Sequence, residues 1–246
     1  MGYLTGRAAL VTGGSRGIGA AIARRLAREG ADIAITYVTG ADRAEQVVRD
    51  VTAHGVRGVA LQADSADPLQ VRAAVDTAAA QLGRLDVLVN NAGVFPYGPF
   101  EDVSAAELDH VIALHVRAAF VAAQAASAHL GEGGRIISIG SNLAEHVSHP
   151  GVALYAMTKS ALTGLTRGLA RDLGPRGIAV TVVHPGSTDT DMNPADGPSA
   201  ADQRERTALG RYQRAEEVAA TVAHLAGPGG ATITGTGLLV DAGANA

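Results

Sequence analysis

The chain has no cysteine and no tryptophan. The first absence excludes disulfides, thiolate nucleophiles and Cys-ligated metals. The second, with aromatics at only 3% of residues, leaves little from which to build a base-stacking surface. No apolar run reaches a membrane-spanning length, and the N-terminus lacks a signal-peptide pattern. No basic block stands out against a net charge of −4, which argues against nucleic acid or an acidic membrane surface as a partner. The default expectation is a soluble cytoplasmic protein.

What is present is apolar material, 47% of 246 residues, enough for one large α/β domain with a sizeable core. Short apolar runs alternate with helical patterns. The runs are Ala8 to Thr12, Ile33 to Tyr37, Val59 to Leu61, Val87 to Val89, Arg135 to Ile139, Ala179 to Val183 and Leu238 to Val240. Helical patterns lie at about 17–29, 44–53 and 68–82. Runs that are continuously apolar, rather than alternating, suit a parallel sheet covered on both faces. The expectation is a single doubly wound Rossmann domain over residues 1–246, with a seven-stranded parallel sheet and helices on both faces. Ser187 to Gln203 shows no pattern and is expected to be disordered or a functional lid.

Between the first strand and first helix lies Thr12-Gly13-Gly14-Ser15-Arg16-Gly17-Ile18-Gly19. Glycines there permit a tight turn and let backbone N–H groups approach a pyrophosphate, beside the positive end of a helix dipole. The same turn could need glycine for geometry alone, but its place after strand one favours a dinucleotide. An NAD site usually carries an acid at the end of strand two. Here that position is Tyr37, followed by Val38 and Thr39. The nearest acid, Asp42, is expected to cap the next helix. Arg16 offers a guanidinium to a 2′-phosphate. NADP(H) is therefore preferred over NAD(H).

Tyr155 and Lys159 share one face of a predicted helix, about a turn apart. A phenol beside an ammonium is a plausible proton donor, as carbonyl reduction requires, because the positive charge favours the phenolate. Taken alone, such a pair is more often a solvated helix face.

The ordered set of motifs resembles the short-chain dehydrogenase/reductase family, from about Leu4 to Gly243. It comprises the Thr12–Gly19 turn, Asp64 after strand three, Asn90-Asn91-Ala92-Gly93 after strand four, Ser141 after strand five, Tyr155-x-x-x-Lys159, and Pro185-Gly186 with Thr190 after strand six. The resemblance implies Tyr155 as general acid/base, Lys159 lowering its pKa and binding the nicotinamide ribose, and Ser141 holding the substrate oxygen. It implies cofactor contacts from Gly13, Ser15, Arg16, Gly17, Ile18, Gly19, Tyr37, Thr39, Asp64, Ser65, Asn91, Ala92, Gly93, Pro185, Gly186, Thr188 and Thr190, besides Tyr155 and Lys159.

One departure stands out. The family usually has an asparagine where this chain has His115, and that asparagine is thought to hold a water linking the lysine to solvent. The expectation is that His115 keeps this relay and makes turnover more pH-sensitive, since histidine titrates near neutrality. The competing reading is a satisfied core histidine.

The nearest overall resemblance is to 3-oxoacyl-carrier-protein reductases and their small-ketone relatives. An acyl-carrier protein or thioester partner is weakened by Glu132, which would repel an acidic protein, and kept open by Arg176. The reading favours a free ketone, aldehyde or secondary alcohol. Candidate pocket residues are Phe95, Pro96, Tyr97, Asn142, Leu143, Glu145, His146 and Met192. No His/carboxylate spacing suggests a metal. A non-catalytic NADP(H)-binding sensor or scaffold remains the alternative of a different class. The family resemblance implies a homotetramer, for which Ala118, Ala119, Ala122, Ala123, Ala125 and Ala126 would give one helix a small-residue docking surface.

Overall fold

A computed structural model describes residues 2–246. Seven parallel strands form one sheet: β1 (Ala8–Val11), β2 (Asp32–Tyr37), β3 (Gly58–Gln62), β4 (Val87–Asn90), β5 (Arg135–Ile139), β6 (Ala179–Pro185) and a last strand, Thr236–Val240. A two-stranded parallel ribbon, β7 (Thr188–Asp189) with β8 (Gln213–Arg214), precedes that last strand, which is therefore β9. The sheet order is β3-β2-β1-β4-β5-β6-β9. The winding reverses between β1 and β4, so their carboxyl ends open a crevice at the switch point.

Successive side chains of each strand point to opposite faces, and each face carries its own core. Ala9 and Val11 pack with Ile22 and Leu26 of α1 (Gly17–Arg28) and with Val218 and Val222 of α8 (Ala215–Ala226). Ala8 and Leu10 face the other way, toward Val75 and Leu82 of α3 (Pro68–Leu82) and Ala122 and Ala126 of α5 (Ala118–Ala126). This two-faced burial is why the strands read as unbroken apolar runs.

The α3 boundaries were legible because both ends carry chemistry. Asp67 accepts hydrogen bonds from the Leu69 and Gln70 N–H groups, Pro68 occupies the first turn, and Gly83 closes the helix in the left-handed region. By contrast Asp42 does not cap α2 (Ala41–Thr52). The N-cap is Gly40, in the left-handed conformation, and Asp42 sits inside the first turn.

Two further expectations need correction. The α5 alanines are buried within the subunit and do not form an outer surface. Their small side chains let α5 approach α3 and the sheet closely, and the large apolar side chain left exposed on α5 is Phe120. The patternless stretch Ser187 to Gln203 is structured rather than disordered, and much of it lines the cavity described below, which leaves the lid expectation standing. It contains β7, a Thr190–Asn193 bridge and α7 (Ala200–Glu205). Gln203 holds it together: its amide accepts from Ser187 Oγ (2.6 Å) and Asn193 Nδ2 (2.9 Å) and donates to Ser199 Oγ (2.9 Å). The sequence offers no periodicity for such a segment, because side-chain amides rather than an apolar face order it.

The remaining helices are α4 (Ala105–Ile112), joined to α5 through one π-helical stretch at Ala113–Arg117, and the long α6 (Ala153–Leu173). Among the described residues no helix is long and apolar enough to cross a membrane.

Candidate active site

The turn after β1 is built by close approach. Gly13 has φ +63°, and a Cβ there would lie 2.9 Å from Ala92 Cα. A Cβ on Gly19 would lie 2.5 Å from both Asn91 Nδ2 and the Gly13 carbonyl. Asn91 locks this junction, its Nδ2 donating to the Thr12 and Gly13 carbonyls (2.9 and 3.1 Å). The Asn91 and Ala92 N–H groups donate to Thr12 Oγ1. No side chain caps the start of α1, so its first N–H groups face the crevice free to meet an anion. The glycine cradle and uncapped helix end fit a pyrophosphate.

Along the crevice runs a cavity of about 730 Å³. Its nucleotide end is lined by Gly13, Arg16, Gly17, Ile18 and Gly19, and by Asn91, Ala92 and Gly93. Ser141, Tyr155 and Lys159 line its middle, with Pro185, Gly186, Thr188 and Thr190 opposite. Of the expected pocket residues, Phe95, Tyr97, Asn142, Leu143 and Met192 also line it. His146 and Glu145 do not: both are exposed on the loop after β5, and His149 lines the cavity instead. Ser15 lies within the glycine turn, and Tyr37, Thr39 and Asp64 sit at the ends of β2 and β3, off this cavity. The Asp64 carboxylate accepts from the Ala66 N–H (2.8 Å).

No carboxylate ends β2. One guanidinium, that of Arg43, lies beside that region, while Arg16 in the glycine turn reaches toward the loop after β7. Arg16 pairs with Asp191 at 2.6 Å, both side chains half exposed. Arg43, which sequence reasoning missed, folds back over Gly40, with its Nε and Nη2 each 2.9 Å from where a Cβ would stand. The only signal for it was a glycine followed by a first-turn arginine.

Tyr155 and Lys159 lie one turn apart on α6. Lys159 is buried, its Nζ donating to the Ile139 carbonyl (2.9 Å) and standing 5.6 Å from the Tyr155 ring centre. Phe95 packs edge-on against Tyr155 at 4.8 Å between ring centres. Burial dominates the electrostatics. It pushes the phenol up to about 12, with the Ser141 side chain pulling the other way, and it pulls the ammonium down to about 8. Burial alone raises the phenol, and the group that lowers it in this geometry is Ser141 rather than the expected Lys159.

His115 sits in the π-helical stretch, 3% exposed. Its Nε2 accepts from the Val94 N–H (3.0 Å), which places the ring proton on Nδ1. Nδ1 then donates to Thr158 Oγ1 (2.9 Å), and that hydroxyl donates to the Tyr155 carbonyl (2.9 Å). Burial and the Lys159 charge drive its pKa down to about 3. The expected titration near neutrality is thus overturned, and both ring nitrogens are engaged by the protein. A second cavity, of about 20 Å³, lies between His115, Lys159, Asn90 and Ser65, room for roughly one water.

Among the described residues no cluster of three His, Asp or Glu could hold a metal ion. Arg176 is committed to structure, donating to the Ser127 and Leu130 carbonyls at the end of α5 (2.6 and 2.8 Å).

A family profile described as enoyl-(acyl carrier protein) reductase matches residues 13–245. The chain belongs to the short-chain dehydrogenase/reductase family. Among solved members, a short-chain dehydrogenase from Burkholderia cenocepacia in complex with NADP is 59% identical, with 99% of this chain and 100% of that one covered and a TM-score of 0.98. A blue fluorescent protein from a metagenomic library, in complex with NADPH, is 55% identical over 99% and 100% of the two chains, at a TM-score of 0.97. A cyclic-di-GMP-binding biofilm dispersal mediator protein of Escherichia coli is 42% identical, over 98% of each chain. This chain's single Rossmann-like domain with a seven-stranded parallel sheet is the fold shared with these neighbours.

Proposed function

We propose that this short-chain dehydrogenase/reductase is an NADP(H)-dependent carbonyl reductase, or alcohol dehydrogenase in reverse. The observation that carries the reading is the placement of Tyr155, Lys159 and Ser141 on one cavity with the glycine cradle of β1 and α1. Solved relatives bound to NADP and NADPH support the cofactor, as do Arg43 beside the end of β2, where an acid would select NAD, and Arg16 in the glycine turn. When bound, the cofactor supplies the hydride.

The chain's own residues do the rest. Ser141 Oγ and the Tyr155 hydroxyl hold the substrate oxygen. The phenol, protonated at neutral pH, gives its proton as negative charge develops there. Lys159, charged below about pH 8, stabilises the phenolate left behind. His115 acts as a neutral strut joining α6 to the loop after β4, where Val94 precedes Phe95. Phe95, Tyr97 and Met192 offer an apolar wall for the substituents of a small ketone or aldehyde. A free small molecule is favoured over an acyl-carrier protein, since Arg176 is occupied and Glu132 is exposed nearby.

The test is NADPH oxidation across diketones, cyclic ketones, aldehydes and acetoacetyl thioesters, with wild type and Tyr155→Phe. Turnover that disappears in the variant supports the reading; turnover that survives it, or steady preference for NADH, sinks it. A second reading, a nucleotide-binding regulator, draws on the 42% identity to the cyclic-di-GMP-binding protein. Tight NADPH binding with no turnover on any carbonyl would favour it.

A further inference from the structure

β6 is a run of small and β-branched residues, Ala179 to Val183, until it reaches His184, whose side chain is 0% exposed. The ring fits because two neighbouring strands give way to it. A Cβ on Gly237 of β9 would stand 2.8 Å from Nε2 and Cδ2, and one on Gly140, just past β5, would collide with Nδ1. What this space secures is contact with Ser141. Nδ1 lies 3.3 Å from the Ser141 backbone nitrogen and 2.9 Å from its carbonyl oxygen. Nε2 is buried without a hydrogen-bond partner, and Glu145 Oε1 stands 3.9 Å away.

Burial holds the ring's pKa below the usual histidine value, against the Ser141 hydrogen bond and the Glu145 charge that pull it up, so at neutral pH the ring carries one proton. Its place follows from counting partners. The Ser141 carbonyl already accepts from the Ala144 N–H at 2.9 Å, whereas the Ser141 N–H has His184 Nδ1 as its acceptor. A proton on Nδ1 would strand that N–H and turn a bare Nε2 toward the Glu145 carboxylate. Each is a buried polar group left unpaired. A proton on Nε2 removes the first cost and turns an N–H rather than a bare nitrogen toward the Glu145 carboxylate, which at 3.9 Å stands beyond hydrogen-bond reach, and it leaves Nδ1 2.9 Å from the Ser141 carbonyl oxygen.

We propose that His184 positions Ser141. Its proton sits on Nε2, facing Glu145, and its bare Nδ1 accepts the Ser141 N–H. The serine backbone is thereby fixed at the end of β5 and Oγ is aimed into the cavity beside Tyr155. His184 touches neither cofactor nor substrate and acts only through Ser141. The inference rests on the proposed role of Ser141 in holding the substrate oxygen, although the protonation of His184 can be read without any turnover.

The test is ¹⁵N NMR of the imidazole rings in the full chain, with His184 assigned from the His184→Asn spectrum. The expected result is a protonated, pyrrole-type Nε2 and a bare, pyridine-type Nδ1. Glu145→Lys, at an exposed position, reverses the charge facing Nε2 and should move the proton to Nδ1. It should lower kcat about 10-fold while NADPH affinity stays within about 2-fold, the loss of one hydrogen bond at the reacting centre. His184→Leu should lose about as much, while His184→Asn, whose amide oxygen can accept the same N–H, should recover most of it, to within about 3-fold of wild type. A protonated Nδ1 in wild type overturns the proposal, as does a His184→Leu enzyme with undiminished kcat. If His184→Leu does not fold, the wild-type spectrum and Glu145→Lys decide. Failure of the catalytic reading would appear separately, as activity retained in Tyr155→Phe.

Discussion

At the scale of single residues, charge and burial decide the chemistry. Arg43 lies near the end of β2, and Arg16, in the glycine turn, could reach a 2′-phosphate by leaving Asp191. Arg16→Ala is expected to weaken NADPH binding about 10-fold while leaving NADH nearly unchanged, one charge-assisted pair in magnitude. Titration of bound cofactor fluorescence with both nucleotides checks this, and equal loss for both would contradict it. Lys159, held near 8 by burial, stabilises the Tyr155 phenolate only while charged. Carbonyl reduction should therefore be level below about pH 8 and fall above it. A profile flat well into the alkaline range would count against Lys159's role. His115, held near 3, should add no inflection, so His115→Asn should change the height of the profile and not its shape. Tyr155, Lys159 and Ser141 were legible in the sequence because their spacing and order are chemical. Arg43 and His149 were not, because folding back over Gly40 and turning toward a cavity are matters of loop path.

At the scale of elements, the β1–α1 junction is the part whose geometry tolerates least. Gly19→Ala would drive a methyl into Asn91 Nδ2 and the Gly13 carbonyl. The expected cost is about 1–3 kcal/mol of stability, with weaker NADPH binding, because the same atoms shape the pyrophosphate cradle. Urea unfolding with and without NADPH measures both, and a variant as stable as wild type would show that the junction is looser than described. Helix and strand identities were readable wherever an apolar period or a cap marked them, as in α3. They were not readable across Ser187 to Gln203, where one glutamine's hydrogen bonds replace periodicity. The α5 alanines show the opposite error. A stripe of small residues says that something packs closely, and only the fold shows that the neighbour is α3.

At the scale of the molecule, seven parallel strands bring the glycine turn of β1, the Asn91 turn of β4, Ser141 after β5 and Gly186 after β6 to one edge of the sheet. That convergence was readable from the order of motifs, since each follows a strand's carboxyl end. The shape of the substrate end was not, because it depends on where the loops after β4, β5 and β6 meet. The central claim is that this edge transfers a hydride to a carbonyl with Tyr155 supplying the proton. The most direct measurement is the isotopic content of the alcohol formed with NADPH deuterated at the nicotinamide C4. Deuterium on the carbinol carbon with wild type, and no product above background with Tyr155→Phe, is the predicted result. A protein that binds the labelled cofactor and yields no deuterated alcohol from any carbonyl, or a Tyr155→Phe variant that labels product as fast as wild type, would contradict the account.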